Sequence, residues 1–303
     1  MRKAIAVSLF SLMYFASCGA DNGVRAWLRD KFSRKGTAVQ LKAENQSNLF
    51  AKLKESVRND LIRRARLAAA AYPDGEIPEG YRPFSGTDWE MCVLGRHYEG
   101  CRVTDDGFLN VGSGLRARFL IHGHTGNLVI AWSGCDLDAV REWDFSGLKD
   151  AASVVRQYWG SLGEGQFKQA LDFLNGVLLS FPGRKVEVVG HSLGGGITAY
   201  VVAAVTDAEE RVSGTTFNGL GISELALKRY FTEYRIDRAD RLVTNVRCVK
   251  DPVYAGWFVE SRHFGPTYDI ESTELVSHSI TSLIQMMENL SKGAGACFEI
   301  TSQ

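Results

Sequence analysis

The chain has 303 residues, 45% of them hydrophobic, enough to build one substantial core. Its 35 basic residues are matched by 35 acidic ones. That balance excludes a bulk-charge argument for nucleic acid or for an acidic partner.

Arg2 and Lys3 precede the apolar run Ala4 to Phe15, and Ala16-Ser17-Cys18 follows. A positive start, a short apolar stretch and small residues read as a signal peptide over 1–17. Phe15-Ala16-Ser17-Cys18 resembles a lipobox, with Phe15 where a leucine-like residue is usual. Acylation at Cys18 would make the protein an exported, membrane-anchored lipoprotein, with the outer membrane as one destination. Ordinary cleavage, for example after Ala20, would leave it periplasmic or secreted. Residues 18–43 are polar and basic and read as a spacer, followed by one domain over 44–303. The six cysteines are Cys18, Cys92, Cys101, Cys135, Cys248 and Cys297. Export permits disulfides, and Cys92 with Cys101 is the natural local pair. No C-x-x-C spacing exists, which argues against zinc.

Glu44 to Ala71 reads as a helix, with Leu49, Leu53, Val57 and Leu61 on one face. Arg63, Arg64 and Arg66 then read as its solvated side. Tyr72-Pro73-Asp74-Gly75 ends it. A turn-rich stretch runs to about Gly112. Arg116 to His122 and Leu128 to Trp132 are predicted strands joined by a turn. His122 and His124 flank that turn and read as surface polarity, since no third metal ligand is in view. Helices follow over Leu137 to Trp159 and Phe167 to Phe181. Later come strands at Gly214 to Phe217 and Thr244 to Val249, and helices at Glu224 to Tyr234 and Leu275 to Leu290. Strands alternating with helices predict an α/β fold, a mostly parallel sheet with helices on both faces.

The chemistry centres on Gly190-His191-Ser192-Leu193-Gly194-Gly195. Lys185 to Val189 is a buried-strand pattern, and Gly196 to Val205 reads as a closely packed helix. Strand, G-x-S-x-G turn and helix make a nucleophile elbow, with Gly190 and Gly194 leaving room for the turn. The N–H of Leu193, opening the helix, can donate to a developing oxyanion.

Partners for Ser192 should follow in the order acid, then histidine, each after a later strand. The strand Val246 to Val249 runs into Lys250-Asp251-Pro252, which makes Asp251 the acid. Asp207, Asp237 and Asp240 fall in or beside helices and fit less well. Of the later histidines, His278 opens the last helix and is favoured over His263, which sits in a looser loop. His191 neighbours the serine, so its side chain is expected to point away from the base position. The second oxyanion donor should come from Ser133-Gly134-Cys135-Asp136, with Cys135 as the candidate.

Together these residues resemble the class 3 (fungal-type) lipase family, in its bacterial lipase and phospholipase-like branch. The resemblance covers roughly Ala68 to Leu290. It rests on the elbow, on Thr216-Phe217-Asn218-Gly219, on Asp251-Pro252-Val253, on His278-Ser279-Ile280, on Val129 to Cys135 and on Trp143-Asp144. Two positions depart from the family. Ser133 stands where arginine is usual, and Cys135 stands where Ser or Thr is usual. Cys135 keeps the backbone N–H but offers only a weak side-chain donor.

The resemblance implies the α/β-hydrolase fold and hydrolysis of carboxylic esters of lipids, as a lipase or an A-type phospholipase. The route is a Ser192–His278–Asp251 triad and an acyl-enzyme. It also implies a lipid or ester substrate met at a membrane surface. Leu137, Val140 and Trp143 are candidates for the apolar face of a lid. No phosphate-binding loop, dinucleotide fingerprint or metal cluster is seen, so no organic cofactor, metal or nucleic acid is expected. The alternative reading is a weak or inactive hydrolase scaffold serving as a lipid-binding lipoprotein. Acyl transfer to an alcohol would use the same residues.

Overall fold

Runs of β-branched and apolar residues set the centre of the molecule. In chain order, helix α1 (Glu55–Ala69) leads to short strands β1 (Tyr81–Pro83) and β2 (Phe108–Asn110). The longer strands β3 (Arg116–His122) and β4 (Leu128–Trp132) follow, then helix α2 (Gly165–Ser180), strand β5 (Val186–His191) and helix α3 (Leu193–Ala204). Next come β6 (Val212–Phe217), β7 (Ile222–Ser223), α4 (Glu224–Tyr230), α5 (Glu233–Leu242) and β8 (Val243–Cys248). The described part of the chain closes with β9 (Ser261–Arg262), β10 (Thr267–Ile270) and α6 (Ile280–Ser291). The computed structural model describes residues 50–84, 103–110, 115–134, 165–205, 210–249, 251, 261–271 and 278–292. The leader and spacer, Cys92, Cys101, Cys135, Cys297 and the stretch with Leu137, Val140 and Trp143 lie outside the described residues.

The main sheet has eight strands in the order β1-β3-β4-β5-β6-β8-β10, with β2 also on β3. β4, β5, β6, β8 and β10 run parallel. β3 is antiparallel to β4, and β1 and β2 lie end to end along the other edge of β3. Helices α2, α3, α4 and α5 pack one face of this sheet over Phe119, Ile130, Trp132, Val188 and Val212. Helices α1 and α6 pack the other over Leu120, Val129, Val189, Phe217 and Val246. The result is the three-layer α/β arrangement expected from the pattern of elements, and it is the α/β-hydrolase fold that the resemblance implies.

β3 and β4 fall where the sequence predicts them, and both are buried along nearly their whole length. The expected helix Glu224 to Tyr234 is instead two helices. Thr232 caps the second through its hydroxyl, which accepts from the Arg235 amide. Helix α1 begins at Glu55, later than expected, and Val57 is exposed while Leu61, Ile62, Ala65 and Ala68 are buried. A row at four-residue spacing drifts by about 40° per step on a 3.6-residue turn, so it walks off the buried face.

The arginines of α1 are not simply solvated. Arg63 pairs with Asp60 at 2.7 Å and with Glu187 of β5 at 3.1 Å, and also bonds the Tyr81 hydroxyl. Arg64 reaches Glu187 at 3.0 Å and donates to the Thr215 hydroxyl at 2.9 Å. Arg66 pairs with Glu288 of α6 at 2.7 Å. α1 is thus riveted to the sheet by charge-assisted bonds around one largely covered carboxylate.

Glu187→Ala leaves two part-buried guanidinium groups short of a partner. It should lower stability by about 2–3 kcal/mol, read as a shifted urea midpoint with unchanged slope.

Candidate active site

Ser192 sits between β5 and α3 with φ 59° and ψ −125°, one of three non-glycine residues with positive φ among the described residues. Such a conformation costs energy and persists only where neighbours over-determine it. Here the Ser192 amide donates to the Phe217 carbonyl at 3.1 Å. Its carbonyl accepts from the amides of Gly195, Gly196 and Leu220 at 3.0–3.2 Å. A Cβ on Gly190 would strike the Gly194 carbonyl, and one on Gly194 would strike the Trp132 carbonyl. The two glycines of the motif therefore permit a backbone approach that no other residue allows. Leu193 is the first residue of α3, so its amide has no i−4 carbonyl within the helix.

Asp251 lies just past the end of β8 and is fully buried. Its amide donates to the Cys248 carbonyl at 3.0 Å. Asn218, left-handed at φ 42°, ties the ends of β6 and β8 together. Its amide donates to the Val246 carbonyl, and its side-chain oxygen accepts from the Cys248 amide at 2.7 Å. Asp251 Oδ2 is 2.7 Å from His278 Nδ1. With the Nδ1 proton donated to this carboxylate, His278 Nε2 carries the lone pair. That nitrogen is buried without a hydrogen-bond partner. His278 precedes α6 rather than lying inside it, since Ser279 is the cap residue and Ile280 opens the helix.

His263 is elsewhere. It follows β9, with Nε2 2.9 Å from where a Cβ on Gly221 would lie. Burial, together with the positive field of Arg247, pushes its pKa down to about 4, against a smaller opposing effect of Asp269.

His191 departs from the sequence expectation. Its ring does not turn away from His278: the ring centroids of His191 and His278 are 4.7 Å apart. The expectation rests on adjacency to Ser192 alone, but the backbone turns into the left-handed region at Ser192, so the two side chains do not diverge as they would along a strand. His191 Nδ1 is 2.8 Å from the Tyr72 hydroxyl, and that hydroxyl accepts from the Gly134 amide at 3.1 Å. Burial, and secondarily the neighbouring His278, hold His191 well below its ordinary pKa, so it is neutral. The elbow, the Asp251–His278 pair and the loop after β4 thus converge through His191 and Tyr72. Tyr72 was read only as part of a helix stop. Its partner lies 119 residues away, and no local pattern marks it.

Residues 63–252, more than half of the chain, match the family model of the Tle-like phospholipase domain, described as phospholipase-like. No curated protein matches the chain. Solved structures similar to it include Lip2 lipase from Yarrowia lipolytica, at 13% identity over 72% of this chain and 80% of that one, TM-score 0.44. A triacylglycerol lipase from Penicillium expansum is 16% identical over 73% of this chain and 82% of that one, TM-score 0.42. A Rhizomucor miehei lipase–propeptide complex is 15% identical over 78% of each chain, TM-score 0.44.

One expected outcome concerns His263. Its folded pKa near 4 lies below the ordinary value of 6.5. As pH falls from 6.5 to 4, the unfolded chain takes up a proton that the fold refuses, so stability declines across that window. His263→Gln should make this decline shallower, with the part owed to His191 remaining, measured as melting temperature against pH, and leave the plateau above pH 7 little changed.

The family match over residues 63–252, which takes in the strand–serine–helix elbow and Asp251, places this chain in the phospholipase-like Tle-like phospholipase domain family, and so among the lipid-ester hydrolases.

Proposed function

We propose that the protein hydrolyses acyl esters of lipids, as a phospholipase of A type or a lipase, with Ser192 as nucleophile, His278 as base and Asp251 as its orienting acid. The observation that carries this reading is the buried Asp251–His278 pair, 2.7 Å apart, with an unpartnered Nε2 beside the strained elbow that holds Ser192.

In this scheme His278 Nε2 takes the Ser192 hydroxyl proton as Oγ bonds to the ester carbonyl carbon. The carbonyl oxygen becomes an oxyanion, met by the Leu193 amide and by an amide of the loop after β4, for which Cys135 is the candidate. The C–O bond to the alcohol then breaks, and His278 returns its proton to the leaving oxygen. Water, deprotonated by His278, attacks the acyl-enzyme, releases the fatty acid and restores Ser192. Asp251 holds the tautomer and stabilises the imidazolium. Ser192 and His278 Nε2 are not hydrogen-bonded, and catalytic hydrogen bonds of this kind often form only as substrate is bound. Lipidation at Cys18 would hold this chemistry at a membrane surface.

The test is turnover of nitrophenyl esters and mixed phospholipid vesicles, with fluorophosphonate labelling alongside. Ser192→Ala should abolish labelling and lower kcat by about 10⁴-fold or more, and Asp251→Asn should cost about 10⁴-fold. Fatty acid with lysophospholipid as products supports the A-type assignment. Transfer products with added alcohols would instead favour acyl transfer. Equal traces from wild type and Ser192→Ala, with no labelling, would sink the catalytic reading and leave a lipid-binding scaffold.

A further inference from the structure

The proposed chemistry leaves three groups beside the elbow without a role: the Tyr72 hydroxyl, the His191 imidazole and the Gly134 amide. All three belong to one hydrogen-bonded chain. The Tyr72 hydroxyl meets His191 Nδ1 at 2.8 Å and accepts the Gly134 N–H at 3.1 Å. The place a Cβ on Gly134 would occupy is 2.6 Å from the Tyr72 oxygen and 2.9 Å from the Ser192 Cβ. Phenol, loop and nucleophile therefore close on one point.

Tyr72 is itself held firmly. Its amide donates to the Ala69 carbonyl and its carbonyl accepts from the Gly75 amide. On either side of it, Arg118 Nη1 donates to the carbonyls of Ala70 at 3.2 Å and Gly75 at 2.6 Å. Gly75 folds so tightly onto the helix end that a Cβ there would strike the Ala69 carbonyl. The phenol thus arrives from a turn with little freedom.

Packing alone does not account for this arrangement. His191 is buried and neutral, and its Nε2 has no hydrogen-bond partner. An apolar pair of similar size would fill the space without an unsatisfied nitrogen. What an apolar pair cannot do is fix a backbone amide at a set height.

We propose that Tyr72 and His191 are a positioning pair that holds Gly134, at the start of the loop from which the second oxyanion donor is expected, against Ser192. The assignment rests on the serine-hydrolase reading above. Neither residue meets the reacting carbonyl; both act through the loop. A donor misplaced by about 1 Å loses roughly 100-fold in rate, so the penalty should appear in kcat.

The test is steady-state kinetics of the purified protein on a nitrophenyl ester, with melting temperature recorded for each variant. Tyr72→Phe removes one oxygen. It should lower kcat about 10- to 100-fold while KM stays within about 3-fold and the fold stays intact. His191→Asn keeps a polar atom near the Nδ1 position and should stay within about 5-fold of wild type, whereas His191→Leu should fall as far as Tyr72→Phe. The double variant should be no worse than the poorer single one, because both act as a unit. Wild-type kcat in Tyr72→Phe, or losses that multiply in the double variant, would overturn the pair. If His191→Leu does not fold, Tyr72→Phe and His191→Asn decide alone. Wild-type labelling lost in Ser192→Ala separates the two claims. If the unmodified protein neither labels nor turns over, the hydrolase reading fails first. If it does both and Tyr72→Phe matches it, only the positioning pair fails.

Discussion

A serine held at φ 59° and ψ −125° is the constraint around which the other parts are arranged. That backbone costs on the order of 1–3 kcal/mol and must be sustained by its surroundings. β6 sustains it through the Phe217 carbonyl, α3 through two amides, and the segment after β6 through Leu220. β4 also closes in, since Gly194 abuts the Trp132 carbonyl. Strand order, the two motif glycines and the short segment after β6 are consequences of letting four backbone segments meet at one turn.

Around that turn the polar groups are organised in tiers. Arg118 holds the turn after α1, the turn holds Tyr72, and Tyr72 holds His191 and Gly134. On the opposite flank, Asn218 holds the ends of β6 and β8 in register, which sets Asp251, which orients His278. The two flanks meet where the His191 and His278 rings face each other. Burial holds His191 well below its ordinary pKa, and under the proposed chemistry a second positive charge there would oppose the imidazolium formed on His278.

Much of this was legible in the sequence because it is local. The elbow is six consecutive residues with a strand before and a helix after. β3 and β4 are short apolar runs bounded by turn residues, which mark them as buried strands. What stayed hidden depends on distance or on shortness. Arg63 and Arg64 read as a wet face because Glu187 and Thr215 lie more than a hundred residues away. β1, β2 and β10 hold three or four residues each, too few for periodicity to speak. Tyr72 and His191 were seen, but as a helix stop and a bystander. Their roles exist only once α1 lies across the sheet.

The placement of α1 bears on how the protein is made. Arg66 of this helix, the first among the described residues, is paired with Glu288 of the last one described, 222 residues later. The helix that delivers Tyr72 and the segment that delivers His278 pack together on one face of the sheet. Long-range pairings of this kind form late, because the loop they close is long. Under the proposed chemistry a growing chain has its nucleophile by residue 192 but no base until residue 278 has emerged.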